Sequence, residues 1–198
     1  MDAIRNVLEI IRDRLNQSLQ NLDPRPDEWV ALTNLVQHDG KTNERADNKV
    51  VMSVYNIVNE TIVSTYTAAQ PGPGGFAMMP PPLYVDLYLT FMANFGGGVY
   101  AEGLAAISRV VSFFQRNPWL THENAPDLDP TVDKITLEFA SLTPADVNYV
   151  MGMMGARYLP SVFYKLRLIP FSGQAMQART YPARGIDSTG SPMEGRTS

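Results

Sequence analysis

Residues 81–120 read PPLYVDLYLTFMANFGGGVYAEGLAAISRVVSFFQRNPWL and hold the clearest pattern in the chain. After the two prolines, apolar side chains recur at every second position and share one face of an extended segment: Leu83, Val85, Leu87, Leu89 and Phe91. This spacing of two predicts a pleated strand, and the residues between them lie on its other face. The block is typical of a scaffold, since no residue in it has the setting of a catalyst.

A run of glycines at 96–98 separates this strand from a helix predicted over about 100–115. The apolar residues of the helix recur at helical spacing: Leu104, Ile107, Val111 and Phe114. Asn117-Pro118 ends it, because the residue before a proline is disfavoured in the helical conformation. The glycines occupy the place of a phosphate-binding turn but lack the Lys-Ser/Thr of a P-loop and the GxGxxG spacing. They therefore predict a sharp turn.

Length and composition indicate a folded globular protein. The chain has 198 residues, enough for one domain with a sizeable core and an appendage, and 44% of them are apolar. Charged residues make up only 18%, below the typical value of about 25%, which favours a surface partly covered by partners. The net charge of -4 gives no basic surface for nucleic acid, so no nucleic-acid partner is expected.

The chain contains no cysteine, which excludes disulfides, zinc thiolate sites and cysteine nucleophiles. The N-terminus, MDAIRNVLEIIRDRL, carries charges throughout and lacks the apolar core of a signal peptide. The sequence also has no apolar run long enough to span a bilayer, so we expect no direct membrane insertion.

Further helices and strands are predicted on both sides of the central block. A helix over 2–21 carries one apolar stripe, which either packs on the core or, because its steps are nearly heptad, forms an oligomer seam. A second helix begins with Thr143 as N-cap and Pro144 as its first residue, and runs to about Ala156. Strands are predicted over residues 28–36, 49–63, 134–142 and 161–171.

The spacing predicts which residues share a face in two of these strands. In the strand over 49–63, Val50, Met52, Val54 and Val58 are expected opposite Val51, Tyr55 and Ile57, which is typical of a central strand covered on both sides. In the last strand, Val162, Tyr164, Leu166 and Leu168 are expected opposite Phe163, Lys165, Arg167 and Ile169. The order of elements predicts an α+β fold with a single mixed, mostly antiparallel sheet packed with helices.

This α+β domain is expected to occupy residues 1–171. The segment over 172–198 has no apolar periodicity and is predicted to form an extended C-terminal arm. The arm is locally basic in an acidic protein. It is therefore either a solvated tail or a docking segment for an acidic partner, with Arg179, Tyr181 and Arg184 as candidate contacts.

Residues 67–82 are too rich in proline and glycine for a prediction of regular structure. They form either a hairpin loop between two long antiparallel strands or a protruding arm. In the second case Phe76, Met78 and Met79 are candidate partner contacts, because apolar tips on an exposed loop require a cover.

The sequence shows no set of catalytic or ligand-binding residues. His38 and His122 lie in separate polar loops, and His122-Glu123 lacks a second metal ligand. Asp127 and Asp129 resemble the start of a calcium loop, but the glycine and glutamate that complete an EF-hand are missing. No GxSxG nucleophile elbow is present. We therefore expect neither an enzyme nor a bound metal or cofactor.

The order and the amino-acid sequences of four segments resemble those of the tail-terminator proteins, which are the tube and sheath caps of phage-tail-like contractile injection systems. These segments are MDAIRNVLEIIRDRLNQSL at the N-terminus, KVVMSVYNIVNE, PPPLYVDLYLTFMANF with the following YAEGLAAISRVVSFFQRNPWL, and SVFYKLRLIPF. Together they cover most of residues 1–171. Larger members of the family carry an additional C-terminal domain, and this chain resembles a minimal version.

The resemblance implies an architectural role without a cofactor. Members of the family form six-fold rings that stop polymerisation of the inner tube and engage the last sheath ring. The implied partners are therefore further copies of the chain and the tube and sheath proteins. The implied location is the bacterial cytoplasm during assembly and the outside of the cell after release. Two other readings stay open: another head-tail connector or assembly component, and a small-molecule-binding domain or enzyme with an unrecognised site.

Overall fold

The computed structural model describes residues 2–60, 70–72, 75–78, 83–96, 98–171 and 178–180. Its α-helices are α1 (Ala3–Leu22), α2 (Tyr100–Arg116) and α3 (Pro144–Met153), and a 3-10 helix spans Glu44–Ala46. Its strands are β1 (Val30–Leu32), β2 (Lys49–Asn59), β3 (Gln70–Gly72), β4 (Gly75–Met78), β5 (Leu83–Asn94), β6 (Trp119–Thr121), β7 (Lys134–Phe139), β8 (Ser161–Phe171) and β9 (Ala178–Thr180). The chain divides into two compact units, Met1–Ser64 with Leu83–Phe171 and Thr65–Pro82 with Ser172–Ser198.

The first unit is built on a six-stranded sheet in the order β1-β2-β5-β8-β7-β6. The pair of β1 and β2 is parallel and the other four pairs are antiparallel. The prediction of an α+β fold with one mixed, mostly antiparallel sheet is therefore confirmed. β5 and β8 lie at the centre of this sheet, and β2, whose strand was expected to be covered on both sides, has a neighbouring strand on each side.

One face of the sheet packs against α1 and α2 and forms the main core. Phe91 of β5 lies fully buried at its centre, with its ring centroid 5.2 Å from Phe114 of α2 and 5.9 Å from Tyr164 of β8. Such tilted and edge-on ring pairs stabilise a core beyond the effect of burial alone. Because Tyr164 is buried here, the pKa of its phenol rises to about 12.

The apolar stripe of α1 is used inside the chain. Leu8, Ile11, Leu15 and Leu19 are all buried in the main core, and only Leu22 at the end of the stripe is exposed. Of the two readings of this stripe, core packing is the one that the structure bears out. The oligomer seam is not needed to cover it.

Two asparagine side chains connect α1 by hydrogen bonds to opposite edges of the sheet. Asn6 bonds to the backbone of Asp127 and Asp129, in the segment between β6 and β7. Asn16, almost three turns further on, bonds to the backbone of Val30 in β1. Since β6 and β1 are the two outer strands, α1 lies across the strands of the sheet.

Two β-bulges change which residues share a face. In β2 the register shifts between Val54 and Asn56, so Ile57 lies opposite Leu87 and Val58 opposite Asp86. The predicted grouping of Val58 with Val54 is therefore wrong. In β8 the shift opposite β5 places Ile169 in the main core with Leu166, against the prediction. A bulge adds one residue to a strand, which exchanges the two faces beyond it.

The packed face of α2 includes most of the predicted large residues and, in addition, small residues that were not predicted. Its buried residues are Gly103, Ala106, Ile107, Val110, Phe113 and Phe114. Leu104 is exposed, so that prediction is wrong, whereas Val111 is partly buried and packs against the main core. The small residues are buried because the helix approaches β5 closely: a Cβ on Gly103 would lie 3.2 Å from the Cβ of Ala93.

Several short strands differ from the prediction or were not predicted. β1 spans three residues where nine were expected, and β6 follows Pro118 directly. In the second unit, β3, β4 and β9 form a three-stranded antiparallel sheet. Residues 67–82 therefore contain regular structure, contrary to the prediction. That prediction underestimated how well glycine-rich segments pair once the C-terminal segment supplies a third strand.

Candidate partner-binding surfaces

α3 covers part of the second face of the six-stranded sheet. Its start is the predicted one: the Thr143 hydroxyl accepts from the backbone N–H of Asp146, and the Asp146 carboxylate accepts from the N–H of Thr143, both at 3.3 Å. These reciprocal bonds form a capping box, with Pro144 as first helical residue. The helix ends at Met153, three residues before the predicted end.

A glycine terminates the helix. Gly155 has a φ of 65°, a conformation that L-residues with a side chain rarely adopt. It allows the N–H of Ala156 to bond to the carbonyl of Met151 at 3.0 Å and its own N–H to bond to Gly152 at 3.1 Å. The chain then turns back along α3 toward β8.

α3 is apolar on its inner and its outer side. Val150 and Met151 are buried against Val51, Met92 and Phe163 of the sheet. On the opposite side, Tyr149 and Met153 are 71% and 70% exposed, and Tyr158 after the helix is 73% exposed. An ordinary surface helix presents polar residues at such positions. We call Tyr149, Met153 and Tyr158 the α3 surface.

Two grooves flank the α3 surface. One, of about 490 Å³, separates the helix end from the chain after β1, and its lining includes Val36, Val54, Met153 and Met154. The other, of about 690 Å³, is lined by Leu142, Pro144, Val147, Asn148, Met151, Ala156, Arg157 and Tyr158. The first groove has a mixed lining that also includes Thr33, Asn34 and Ser53, and the second is mainly apolar. Both lie beside exposed aromatic or methionine side chains. This combination marks sites of protein contact more often than plain surface.

The second face of the sheet also carries ion pairs. Arg167 of β8 donates through Nε and Nη2 to one oxygen of Glu60, at 3.0 and 2.6 Å, and through Nη1 to Glu138 at 3.2 Å. Lys165 lies 2.9 Å from the carboxylate of Asp86. Hydrogen bonding to Asp86 raises the pKa of Lys165, and bonding to Glu60 raises that of Arg167.

Two of the three carboxylates in these pairs are deeply buried, with Asp86 1% and Glu60 4% exposed, whereas Glu138 is exposed. Each basic side chain is partly exposed and so connects a buried carboxylate to the surface. This cluster therefore holds strands β5, β7 and β8 together and has the chemistry of a structural network.

The sequence-predicted contact residues fall in the second unit. Phe76 and Met78 lie in β4 and Arg179 lies in β9; Met79, Tyr181 and Arg184 are outside the described residues. β4 pairs with β9, so that Phe76 is opposite Thr180 and Met78 opposite Ala178. The structure thus pairs two segments that the sequence analysis had proposed independently as partner-contact segments. Their role as partner contacts stays a prediction.

Other polar residues of the sequence analysis have local partners or lie apart. His38 and His122 are exposed in separate turns. The Asp129 carboxylate accepts hydrogen bonds from the N–H and hydroxyl of Thr131, which lower its pKa. Over the described ranges, no three His, Asp or Glu side chains converge as metal ligands do. None of the helices in those ranges has the length and apolar character that crossing a bilayer requires.

The fold is that of the terminators of contractile injection particles. The sheath/tube terminator of an extracellular contractile injection system, PVC, in its extended state matches with a TM-score of 0.63 and 14% identity, over 100% of this chain and 66% of that one. The tube terminating cap of the anti-feeding prophage matches with a TM-score of 0.60 and 13% identity, over 95% of this chain and 60% of that one.

The family follows from the sequence as well. The model of the Pvc16 N-terminal domain family matches residues 6–184, and this chain belongs to that family. The predicted membership of the tail-terminator proteins is thereby confirmed. No curated protein matches the sequence significantly. The chain spans about two thirds or less of the length of the two terminators that it resembles.

Proposed function

We propose that this protein is the structural terminator of a contractile injection system. In this role it forms a hexameric ring that ends the inner tube and engages the last sheath ring. The observation that carries the proposal is the family match over residues 6–184, supported by the similarity of the fold to two tube terminators. The role requires no catalytic group and no cofactor, and the particle is assembled in the bacterial cytoplasm before its release.

The α3 surface is the part of the described chain best suited to contact a partner. It combines two exposed tyrosines and a methionine with a mainly apolar groove on one side and a groove of mixed lining on the other. Tyrosine is enriched where interfaces have high contact energy, and methionine adapts to irregular partners. In a ring of identical subunits each contact is heterologous, so the surface that covers α3 belongs to a different part of the next copy or to a tube or sheath subunit.

The second unit supplies the other proposed contacts. Phe76, Met78 and Met79 come from its hairpin segment, and Arg179, Tyr181 and Arg184 come from its C-terminal segment. Arginine and tyrosine side chains in this arm suit an acidic partner surface. The C-terminal arm over 172–198 is proposed as the segment that reaches such a surface.

Deletion of the gene tests the function directly. We expect electron micrographs of the mutant to show tubes or sheaths of uncontrolled length, because nothing stops their growth at the distal end. Particles of normal length would contradict the terminator role. The symmetry of the cap in averaged images of wild-type particles tests the hexameric ring separately.

Complementation with surface variants then tests the contacts. We expect Tyr149→Ser with Met153→Ser to restore fewer length-controlled particles than the wild-type gene. Leu22→Ser is the matched control, since Leu22 is an exposed apolar residue (59%) at the end of α1. If the α3 double variant complements as well as Leu22→Ser, the α3 surface is not a required contact, while the deletion result still decides the function.

A further inference from the structure

The outer strand β1 has its outward backbone groups occupied by a side chain. Trp29 and Thr33 bond to β2, so the N–H and carbonyl of Val30 between them face away from the sheet. The side-chain amide of Asn16 accepts from this N–H at 2.8 Å and donates to this carbonyl at 2.9 Å. These are the two bonds that a residue of a neighbouring antiparallel strand would make.

The opposite edge, β6, is occupied in a similar way. The carbonyl of Pro118 accepts from the N–H of Leu137 in β7. Backbone groups alternate in direction along a strand, so the N–H and carbonyl groups of Trp119 and Thr121 point away from β7. Asn124 donates to the carbonyl of Trp119 at 3.1 Å and accepts from the N–H of Thr121 at 2.9 Å. A single residue of an added parallel strand would make this same pair of bonds through its own N–H and carbonyl.

A third stretch of edge is present where β2 extends beyond β1. β1 pairs with Val50–Met52 alone, so within the described residues no strand lies beside residues 54–59 on that side. Here β2 bulges between Val54 and Asn56, and the side-chain oxygen Oδ1 of Asn56 accepts from the N–H of Ile57 at 2.9 Å. A bulge and an occupied donor both oppose pairing with another strand.

We propose that the side chains of Asn16, Asn56 and Asn124 occupy backbone hydrogen-bonding groups at the edges of the six-stranded sheet and thereby prevent strand addition by a second copy of this chain. A strand that added to β1 or β6 would exchange two existing bonds for two equivalent ones and would gain nothing from the exchange. Without the amides, the same edge groups would be free to pair with another chain. Copies then meet through side-chain surfaces and not through one continuous sheet.

The test compares asparagines that make the same bonds in different places. The double variant Asn16→Ala with Asn124→Ala opens both outer edges. Asn6→Ala is the matched control, because Asn6 also donates to a carbonyl (Asp127, 3.1 Å) and accepts from an N–H (Asp129, 2.9 Å), but in a loop. Light scattering over a range of protein concentrations gives the mass of each variant.

We expect the double variant to exceed the wild-type mass at a concentration about tenfold lower than Asn6→Ala does. Equal behaviour of these two variants would overturn the proposal, because it would attribute association to lost stability alone. A folded double variant that keeps the wild-type mass would overturn it too. If the double variant does not fold, Asn124→Ala alone decides by the same comparison, since Asn124 is partly exposed in a turn.

Hydrogen exchange of Thr121 gives a second readout at the edge itself. In Asn124→Ala we expect its amide to exchange faster than in the wild type at low concentration and to become protected again as larger species form. Fast exchange at all concentrations would contradict strand addition at β6. These outcomes do not depend on the proposed terminator role, because they concern the isolated protein.

Discussion

Two glycines near the end of α3 should respond to alanine in opposite directions. Gly152 lies within the helix, and a Cβ built there meets no atom within 4 Å. Gly155 follows the helix with a φ of 65°, and its Cβ would lie 3.6 Å from Val36, an ordinary contact. Space therefore permits alanine at both positions, and only the backbone conformation separates them.

The expected magnitudes follow from that difference. Alanine at Gly152 should raise the free energy of unfolding by about 0.5–1 kcal/mol, because glycine loses more conformational entropy in a helix. Alanine at Gly155 should lower it by about 1–2 kcal/mol, because a side chain strains the left-handed conformation. Gly155→Asn should fall between wild type and Gly155→Ala, since asparagine tolerates this conformation best after glycine.

Urea unfolding of the four proteins measures these differences, and hydrogen exchange of α3 amides locates them. Opening of α3 should be easier in Gly155→Ala and harder in Gly152→Ala than in the wild type. A loss of the same size at both positions would refute the reasoning, because it would show that contacts of the glycines, and not φ, decide the effect. A higher free energy of unfolding for Gly155→Ala than for the wild type would refute it directly.

Two further predictions concern the main core. Phe91→Ala should lower the free energy of unfolding in urea by about 3–5 kcal/mol, because it removes a fully buried ring that packs on Phe114 and Tyr164; a loss below about 1 kcal/mol would contradict this packing. Burial raises the pKa of Tyr164 to about 12, above its ordinary value of about 10. The stabilisation from the neutral phenol is therefore complete below pH 10 and is lost toward pH 12. Compared with Tyr164→Phe, the wild type should lose about 2–3 kcal/mol more over this interval, and parallel pH profiles would rule the effect out.

The long alternating strands were predictable from sequence, but their bulges were not. The register shift between Val54 and Asn56 in β2 depends on its partner β5, since the extra residue has no signature in its own strand. The length of β1 was overestimated because contacts outside the strand decide where it ends. Leu35 and Val36 continue its apolar run, yet they leave the strand and pack beside α3.

Helix faces were predictable where large residues pack and misleading where small ones do. In α2 the prediction ranked Leu104 above Gly103, although close contact with β5 selects the glycine side. For the candidate site, Thr143 and Pro144 specified the start of α3. The exposure of Tyr149 and Met153 was not predictable, because PADVNYVMGM has apolar residues on every side; the lack of a polar face was the available signal.

The central position of β8 has a consequence for synthesis of the protein. β8 separates β5 from β7, yet it is the last strand of the six-stranded sheet to leave the ribosome. Until residue 171 has been made, the twelve-residue strand β5 has no neighbour on one side and the main core lacks Tyr164 and Leu166. From the synthesis of Asn94 until that of Phe171, the nascent chain therefore holds an open, apolar strand edge, and chaperone binding is most useful in this interval.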